Sequence, residues 1–235
     1  MTADRPTRAT ELEPIHVVLP MRTVSGGKAR LGEALDAEER EELVLGMLLH
    51  TLQVLAEWPV WRRIHLVSPD PALGAATATS GLEVSVHRQR GEGLNDGIRL
   101  GVSAARVEDA ASLLVLPGDL PQLSVAALED LLTAADAGVV AAAGGPLVAI
   151  APSDAGGGTN ALLLCPPDVI APAFGPGSFE AHLRAAESAA AAVQVVSDPV
   201  LGFDLATPED LERLDPLQLR ELTEIGRAAM DRAGT

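Results

Sequence analysis

Two kinds of apolar run alternate with amphipathic stretches along this chain. Leu113-Leu-Val-Leu116 and Ala161-Leu-Leu-Leu-Cys165 are unbroken, as in strands buried on both faces of a parallel sheet. Ile15-His-Val-Val-Leu19 and Ile64-His-Leu-Val-Ser68 are short strands closed by Pro20 and Pro69. Leu82-Glu-Val-Ser-Val-His87 alternates and predicts a more exposed strand. Gly138–Ala143, Leu147–Ala151 and Val193–Val196 also read as extended. Between the runs lie helical signals. Asp36 and Glu39 form a capping-box pattern ahead of Val44, Met47, Leu48, Thr51, Leu52 and Leu55 at helical spacing. Ser124 is an N-cap for the helix after the central strand, and Ser178 for one running to about Ala191. Helices are also expected from Asp96 to Val107 and after Thr207-Pro208 and Asp215-Pro216. Strands alternating with helices predict a single α/β domain, a mainly parallel sheet flanked by helices with right-handed crossovers. It is expected over residues 14–235, behind a disordered leader of residues 1–13.

Composition narrows the functions open to such a domain. The chain has 235 residues, 47% of them hydrophobic but only 2% aromatic, and no Tyr. Its core is therefore built from Ala, Val and Leu, and stacking platforms for single-stranded nucleic acid are not expected. A net charge of −16 argues against a duplex-binding surface, which needs clustered Lys and Arg. A phosphorylated ligand must then be met locally by cations or a metal. The single cysteine, Cys165, excludes an intramolecular disulfide and reads as a core filler. No stretch has the length of a membrane span, and the leader lacks an apolar signal core. A cytoplasmic protein is expected. The five histidines show no pair at metal-ligand spacing and are given no role.

Candidate chemistry gathers where the strands stop. The run at Leu113 ends at Pro117-Gly118, and the first polar side chain beyond is Asp119. Open α/β sheets place ligands at the carboxyl ends of their strands, although an Asp in a Pro-Gly turn also needs no ligand to explain it. After the first strand, Arg22, Lys28 and Arg30 surround Gly26-Gly27, where backbone amides can turn towards an anion. A solvated surface loop is the alternative. This is not a Walker A loop: its first glycine is missing and Ala29 replaces the Ser or Thr. Gly91-Glu-Gly93 fails the dinucleotide fingerprint because Asp96 stands where Gly belongs. It leaves a glycine turn presenting Leu94 and Asn95 at a helix start, suited to a nucleobase edge or to an ordinary N-cap. Gly156-Gly-Gly158 precedes Thr159-Asn160, and Phe174-Gly-Pro-Gly177 precedes Ser178. The first is either a loop open to a ligand or a plain hairpin, and the second is a helix start suited to an anion. Asp204 lies upstream of the Thr207 cap and is not needed to start that helix. Two separated acids and a cationic glycine loop suit Mg²⁺-dependent nucleotidyl transfer. Lys28, helped by Arg22 or Arg30, would then stabilise departing pyrophosphate. An attacking phosphate needs no general base.

In order along the chain stand Pro20-x-Arg22, Lys28-Ala-Arg-Leu31, Met47-Leu-x-x-Thr-Leu52, Glu92-Gly-Leu-Asn95 and Pro117-Gly-Asp-Leu-Pro121. Gly158-Thr-Asn-Ala161-Leu-Leu-Leu, Phe174-Gly-x-x-Ser178 and Asp204-x-x-Thr-Pro208 follow. This series resembles the phosphoenolpyruvate / 2-phospho-L-lactate guanylyltransferases of coenzyme F-420 biosynthesis, from about residue 15 to 212. The resemblance implies a Rossmann-like nucleotidyltransferase fold related to the molybdopterin guanylyltransferases. It implies transfer of GMP from GTP to phosphoenolpyruvate, 2-phospho-L-lactate or 3-phosphoglycerate. Asp119 and Asp204 are then the Mg²⁺ ligands and act with Lys28 in catalysis. Arg22, Gly27, Lys28, Arg30, Leu94, Asn95, Pro117 and Gly118 fall on the nucleotide side, and Thr159, Gly175 and Ser178 grip the acid. Ala29, Arg22 and Gly177 depart from the commoner Thr, Lys and Asp.

Sugar-1-phosphate nucleotidyltransferases normally follow the first strand with Gly-x-Gly, where this chain has Pro20-Met21-Arg22. A molybdopterin guanylyltransferase also prefers a glycine-rich first loop. A non-catalytic nucleotide-binding regulator would not need two separated carboxylates. An antiparallel arm around residues 138–165 would support a homodimer; no nucleic-acid or membrane partner is expected.

Overall fold

β1 (Ile15–Pro20) is buried along its whole length, which explains why its sequence does not alternate. It lies inside a seven-stranded sheet of order β3-β2-β1-β4-β6-β5-β7. The structure is a computed structural model and describes residues 12–25, 27–58, 60–78, 80–91 and 93–233. Gly26, Glu92 and residues 1–11 of the expected leader lie outside the described residues. Leu12, assigned to that leader, is fully buried, and its carbonyl accepts the Ser112 hydroxyl.

A 3-10 turn (Ala29–Glu33) and α1 (Ala37–Glu57) follow β1, then β2 (Trp61–Ser68), α2 (Leu73–Ala78) and β3 (Val84–Arg88). Next come α3 (Leu94–Val107), β4 (Ser112–Val115), α4 (Val125–Ala141), β5 (Leu147–Pro152) and β6 (Thr159–Cys165). The chain continues through α5 (Ser178–Ser188), β7 (Ala192–Val195), α6 (Pro199–Gly202), α7 (Pro208–Arg213) and α8 (Pro216–Ala233). β6 alone among these strands runs against its neighbours β4 and β5; the other pairings are parallel.

Alternation along each central strand builds two cores. Ile15, Val17 and Leu19 of β1 join Leu114 of β4 beneath α1 and α4. Val18, Leu113 and Val115 point the other way, into a core shared with Ile98 and Ala105 of α3 and Ala186 of α5. Burying one such side chain contributes about 1.5–3 kcal/mol. α8 packs outside α1, where Gly46 and Gly226 allow close approach: a Cβ on either would overlap the backbone carbonyl of Leu222 or Glu42. Arg227 closes the same contact with a two-pronged hydrogen bond to buried Glu42.

Local signals fared unevenly. The Asp36–Glu39 capping box and the Ser124 cap form as expected. Gly138–Ala141, expected to be extended, is the last turn of α4, and the chain leaves it through Ala143 and Gly144 at positive φ. Ala-rich flanks favour helix, and Val139 reaches the core while Val140 faces solvent, so the valine pair marks no strand. β5 and β6 lie within the sheet between β4 and β7, not in the arm expected around residues 138–165. Gly177, not Ser178, is the N-cap of α5, and α3 begins at Leu94 behind a Gly93 cap. Among the described residues, no helix is long and apolar enough to cross a membrane.

Candidate active site

β1 and β4 are adjacent and parallel, and their onward chains lead to opposite halves of the sheet, the place where open α/β folds bind ligands. A cleft of about 540 Å³ lies at their carboxyl ends. Arg22, Gly27, Lys28, Arg30, Leu94, Pro117, Gly118 and Asp119 all line it. Two loops separated by about ninety residues thus supply a cationic wall and a carboxylate to one space. Gly118 lies close against Met21, whose sulfur a Cβ there would have to displace. A smaller cleft of about 330 Å³ adjoins along Arg22, Thr23 and Leu94 and continues to Gln89, Gly91 and Gly93. The Gln89 amide donates to the carbonyls of Gly91 and Gly93, so the glycine turn is braced from within.

Lys28 sits in the left-handed backbone region (φ 51°, ψ 43°), uncommon for a residue with a Cβ. Its ammonium donates to Asp119 Oδ2 at 2.7 Å, with the lysine side chain 16% exposed. The Asp119 carbonyl accepts the Leu205 N–H at 3.1 Å, which stitches the Asp204 segment beside it. Asp204 Oδ1 accepts from the Ser153 hydroxyl at 2.7 Å and from the Asn160 amide at 3.2 Å. Asn160 also donates to the Gly202 carbonyl, which fixes its orientation. The two acids offer only carboxylate oxygens, a donor set for a hard divalent cation. Asp204 is pre-oriented and Asp119 carries an exchangeable ammonium partner, so the residues present fit such an ion.

Asn95, Asp204, Thr159, Gly175 and Ser178 do not line the cleft. The Asn95 amide donates to the Phe174 carbonyl and accepts its N–H, tying the start of α3 to the Phe174 turn. It caps no helix. Thr159 and Ser178 are buried and bonded to each other at 3.2 Å. Gly175 turns the chain ahead of them, its carbonyl accepting the Ser178 N–H.

His182, given no role from sequence, governs this hydroxyl pair. Its Nε2 accepts the Ala173 N–H at 2.9 Å, and its Nδ1 lies 3.0 Å from Thr159 Oγ1. Burial lowers its pKa to about 4. The ring is therefore neutral near pH 7, and its hydrogen must sit on Nδ1 and go to Thr159. Two hydroxyl hydrogens remain and one serves the Thr159–Ser178 bond, so the other is left to donate outwards. Ser153 and Asn160 were likewise missed as supports of Asp204; both flank the glycine loop, but pairing them with an acid over forty residues on requires the fold.

A family description, guanylyl transferase CofC like, matches residues 15–215. A phosphoenolpyruvate guanylyltransferase from Rubrobacter xylanophilus is 42% identical over 208 residues, covering 86% of this chain and 93% of that protein. The protein of the same name from Sphaerobacter thermophilus is 38% identical over 197 residues, covering 84% and 90%. Among solved structures, a nucleotidyl transferase from Methanothermobacter superposes with a TM-score of 0.62 at 21% identity, covering 88% of this chain and 99% of that one. CMP:2-keto-3-deoxy-manno-octonic acid synthetase complexed with CTP gives 0.57 at 17% identity, covering 88% and 99%. At such identities the structures speak for the fold, an α/β nucleotidyltransferase fold with a mostly parallel sheet. The sequence match decides the family: this chain belongs to the CofC-like guanylyl transferases.

Proposed function

We propose that this enzyme transfers GMP from GTP to phosphoenolpyruvate and releases pyrophosphate, as a step in coenzyme F-420 biosynthesis. The observation carrying this reading is the cleft in which Arg22, Lys28 and Arg30 face Asp119 across the ends of β1 and β4. Phosphoenolpyruvate is preferred over 2-phospho-L-lactate and 3-phosphoglycerate because the named relatives at 42% and 38% identity act on it. An ionised phosphate oxygen of the acid attacks the α-phosphorus of GTP. A new P–O bond forms, the bond to the bridging oxygen of the β-phosphate breaks, and that oxygen leaves with pyrophosphate. No proton need be removed from the nucleophile.

Lys28, released from Asp119, is in reach of the leaving pyrophosphate together with Arg22 or Arg30, where fixed cations are worth most in a water-poor site. Leu94 and the Gly91–Gly93 turn border the smaller cleft, suited to the guanine ring. Thr159 and Ser178 supply the outward hydroxyl donor for the acid, with Gly175 shaping the turn. Asp119 and Asp204 would hold Mg²⁺, whose chemistry when bound is to neutralise phosphate charge and orient the reacting groups.

The test incubates purified protein with GTP, Mg²⁺ and each acid, and follows pyrophosphate release and product mass. Release with phosphoenolpyruvate, and a product carrying its mass when the acids compete, is expected. Binding of GTP without release for any acid would overturn the reading in favour of a nucleotide-binding regulator. Asp119→Asn should lower turnover by several orders of magnitude with the fold intact, since a metal clamp supplies several kcal/mol at the transition state. Near-normal turnover would remove Asp119 from the mechanism.

A further inference from the structure

Three histidines far apart in sequence form a row across the sheet. β1, β2 and β3 are successive parallel strands, with Val18 opposite His65 and Val67 opposite His87. His16, His65 and His87 are therefore displaced by two residues at each step and share one face. It is the face on which α3 packs, since His16 lies on the same side of its strand as Val18, and His65 as Val67. Ring nitrogens meet at 3.0 Å between His16 Nδ1 and His65 Nε2, and at 3.0 Å between His65 Nδ1 and His87 Nε2. His16 and His65 are fully buried. Glu108, the C-cap of α3, overhangs them: one of its oxygens and one nitrogen from each of His16 and His65 lie within 4.8 Å of one another.

The hydrogens of the row can be shared out in a way that suits an ion. Three neutral imidazoles carry three hydrogens. With these on His16 Nε2, His65 Nδ1 and His87 Nδ1, the facing His16 Nδ1 and His65 Nε2 are both lone pairs, and His65 still donates to His87 Nε2.

We propose that His16, His65 and Glu108 form a site for a divalent transition-metal ion of the Zn²⁺ class, separate from the oxygen-only acids Asp119 and Asp204. Two imidazoles and a carboxylate make a donor set that suits Zn²⁺ and disfavours Mg²⁺. The facing nitrogens of His16 and His65, at 3.0 Å, are close to the spacing of roughly 3.3 Å that a tetrahedral ion with bonds of about 2.0 Å requires. His87 already holds the other nitrogen of His65, the outer hydrogen bond that orients metal-binding imidazoles. Burial lowers the pKa of all three rings, which keeps them in the neutral, ligand form near pH 7. The carboxyl end of α3 adds negative helix-dipole potential. Glu108 is 38% exposed and pairs with Arg63 at 3.2 Å. A Glu108 bound to the ion would give up this pairing, and Arg63 has a shorter contact to Glu83 at 2.7 Å. The ion joins β1, β2 and the end of α3 at the opposite end of β1 from Pro20 and the cleft.

The experiment uses the full chain, stripped with chelator and held in excess Mg²⁺ to occupy Asp119 and Asp204. Zn²⁺ is titrated by calorimetry, and Co²⁺ by visible absorption, which is strong for tetrahedral nitrogen-bearing sites and weak for octahedral oxygen sites. Glu108→Gln and His87→Gln change partly exposed residues, so both variants are expected to fold. One equivalent of Zn²⁺, strong Co²⁺ bands, an affinity about 10–100-fold weaker in His87→Gln and a larger loss in Glu108→Gln are the expected result. Folded wild-type protein that binds no stoichiometric Zn²⁺, or binds one equivalent that both variants hold equally well, overturns the proposal.

Discussion

His182 has no charge near neutral pH, yet its one hydrogen decides what Thr159 and Ser178 can offer a ligand. Replacing it with Phe keeps a ring beside Phe174, which it meets edge-on at 5.1 Å, and removes the donor that orients Thr159. The expected outcome is a KM for the acid raised about tenfold, the effect of one hydrogen bond, with the KM for GTP unchanged; steady-state kinetics with each substrate varied measure the split. The same residue gives a pH dependence of stability. In the unfolded chain His182 takes a proton near pH 6.5, whereas in the folded chain it does so only near pH 4. Between these values the unfolded state binds more protons, so stability falls as pH drops through that window, by at most about 1.4 kcal/mol per pH unit from this residue. Denaturant unfolding from pH 7 to 4 should lose part of that slope in His182→Phe. Asn160→Ala addresses Asp204 instead. With the Ser153 contact left in place, turnover should drop about 10–100-fold, as when outer partners of metal ligands are removed, and pyrophosphate release measures it.

Helix and strand contacts show where local reading succeeds. The unbroken runs at Leu113 and Ala161 announced central strands because both faces are covered, and Pro117-Gly118 marked a real strand end. Gly138–Ala141 misled because two valines in an alanine-rich stretch carry no period, and only packing of Val139 on the sheet selects helix. The cationic loop and Asp119 were legible as a candidate site because charge is rare beside a glycine turn at a strand end, and the structure brings them to one cleft. The support of Asp204 by Asn160, the ordering of Thr159 by His182 and the histidine row were not, since each depends on register or on contacts between distant strands and loops. The α1–α8 contact belongs to the same class. Gly226→Ala must push α8 off the Glu42 carbonyl and should destabilise by about 1–3 kcal/mol, the range for overpacking. Gly74→Ala in α2, where a Cβ meets nothing within 4 Å, should instead stabilise by about 0.5–1 kcal/mol. Paired denaturation curves read both signs.

At the scale of the whole molecule, the sheet divides its labour. The strand ends at β1 and β4 carry the cleft, and the antiparallel strand β6 brings Thr159 and Asn160 to the same end from the other half. The matched family region stops at residue 215, and α8 begins at Pro216, so the helix that covers α1 lies beyond it. Removing residues 216–235 would leave the cleft's own residues in place but uncover α1 and deprive buried Glu42 of Arg227. Thermal melting should show a clear loss of stability for the shortened chain.

Lys28 holds its charge against Asp119 only by standing in a backbone conformation that costs an ordinary residue about 1 kcal/mol or more and a glycine almost nothing. Lys28→Gly should be as stable as the parent chain or more so, and catalytically crippled. Screening this protein for thermal tolerance alone would tend to select enzymes that outlast their own activity.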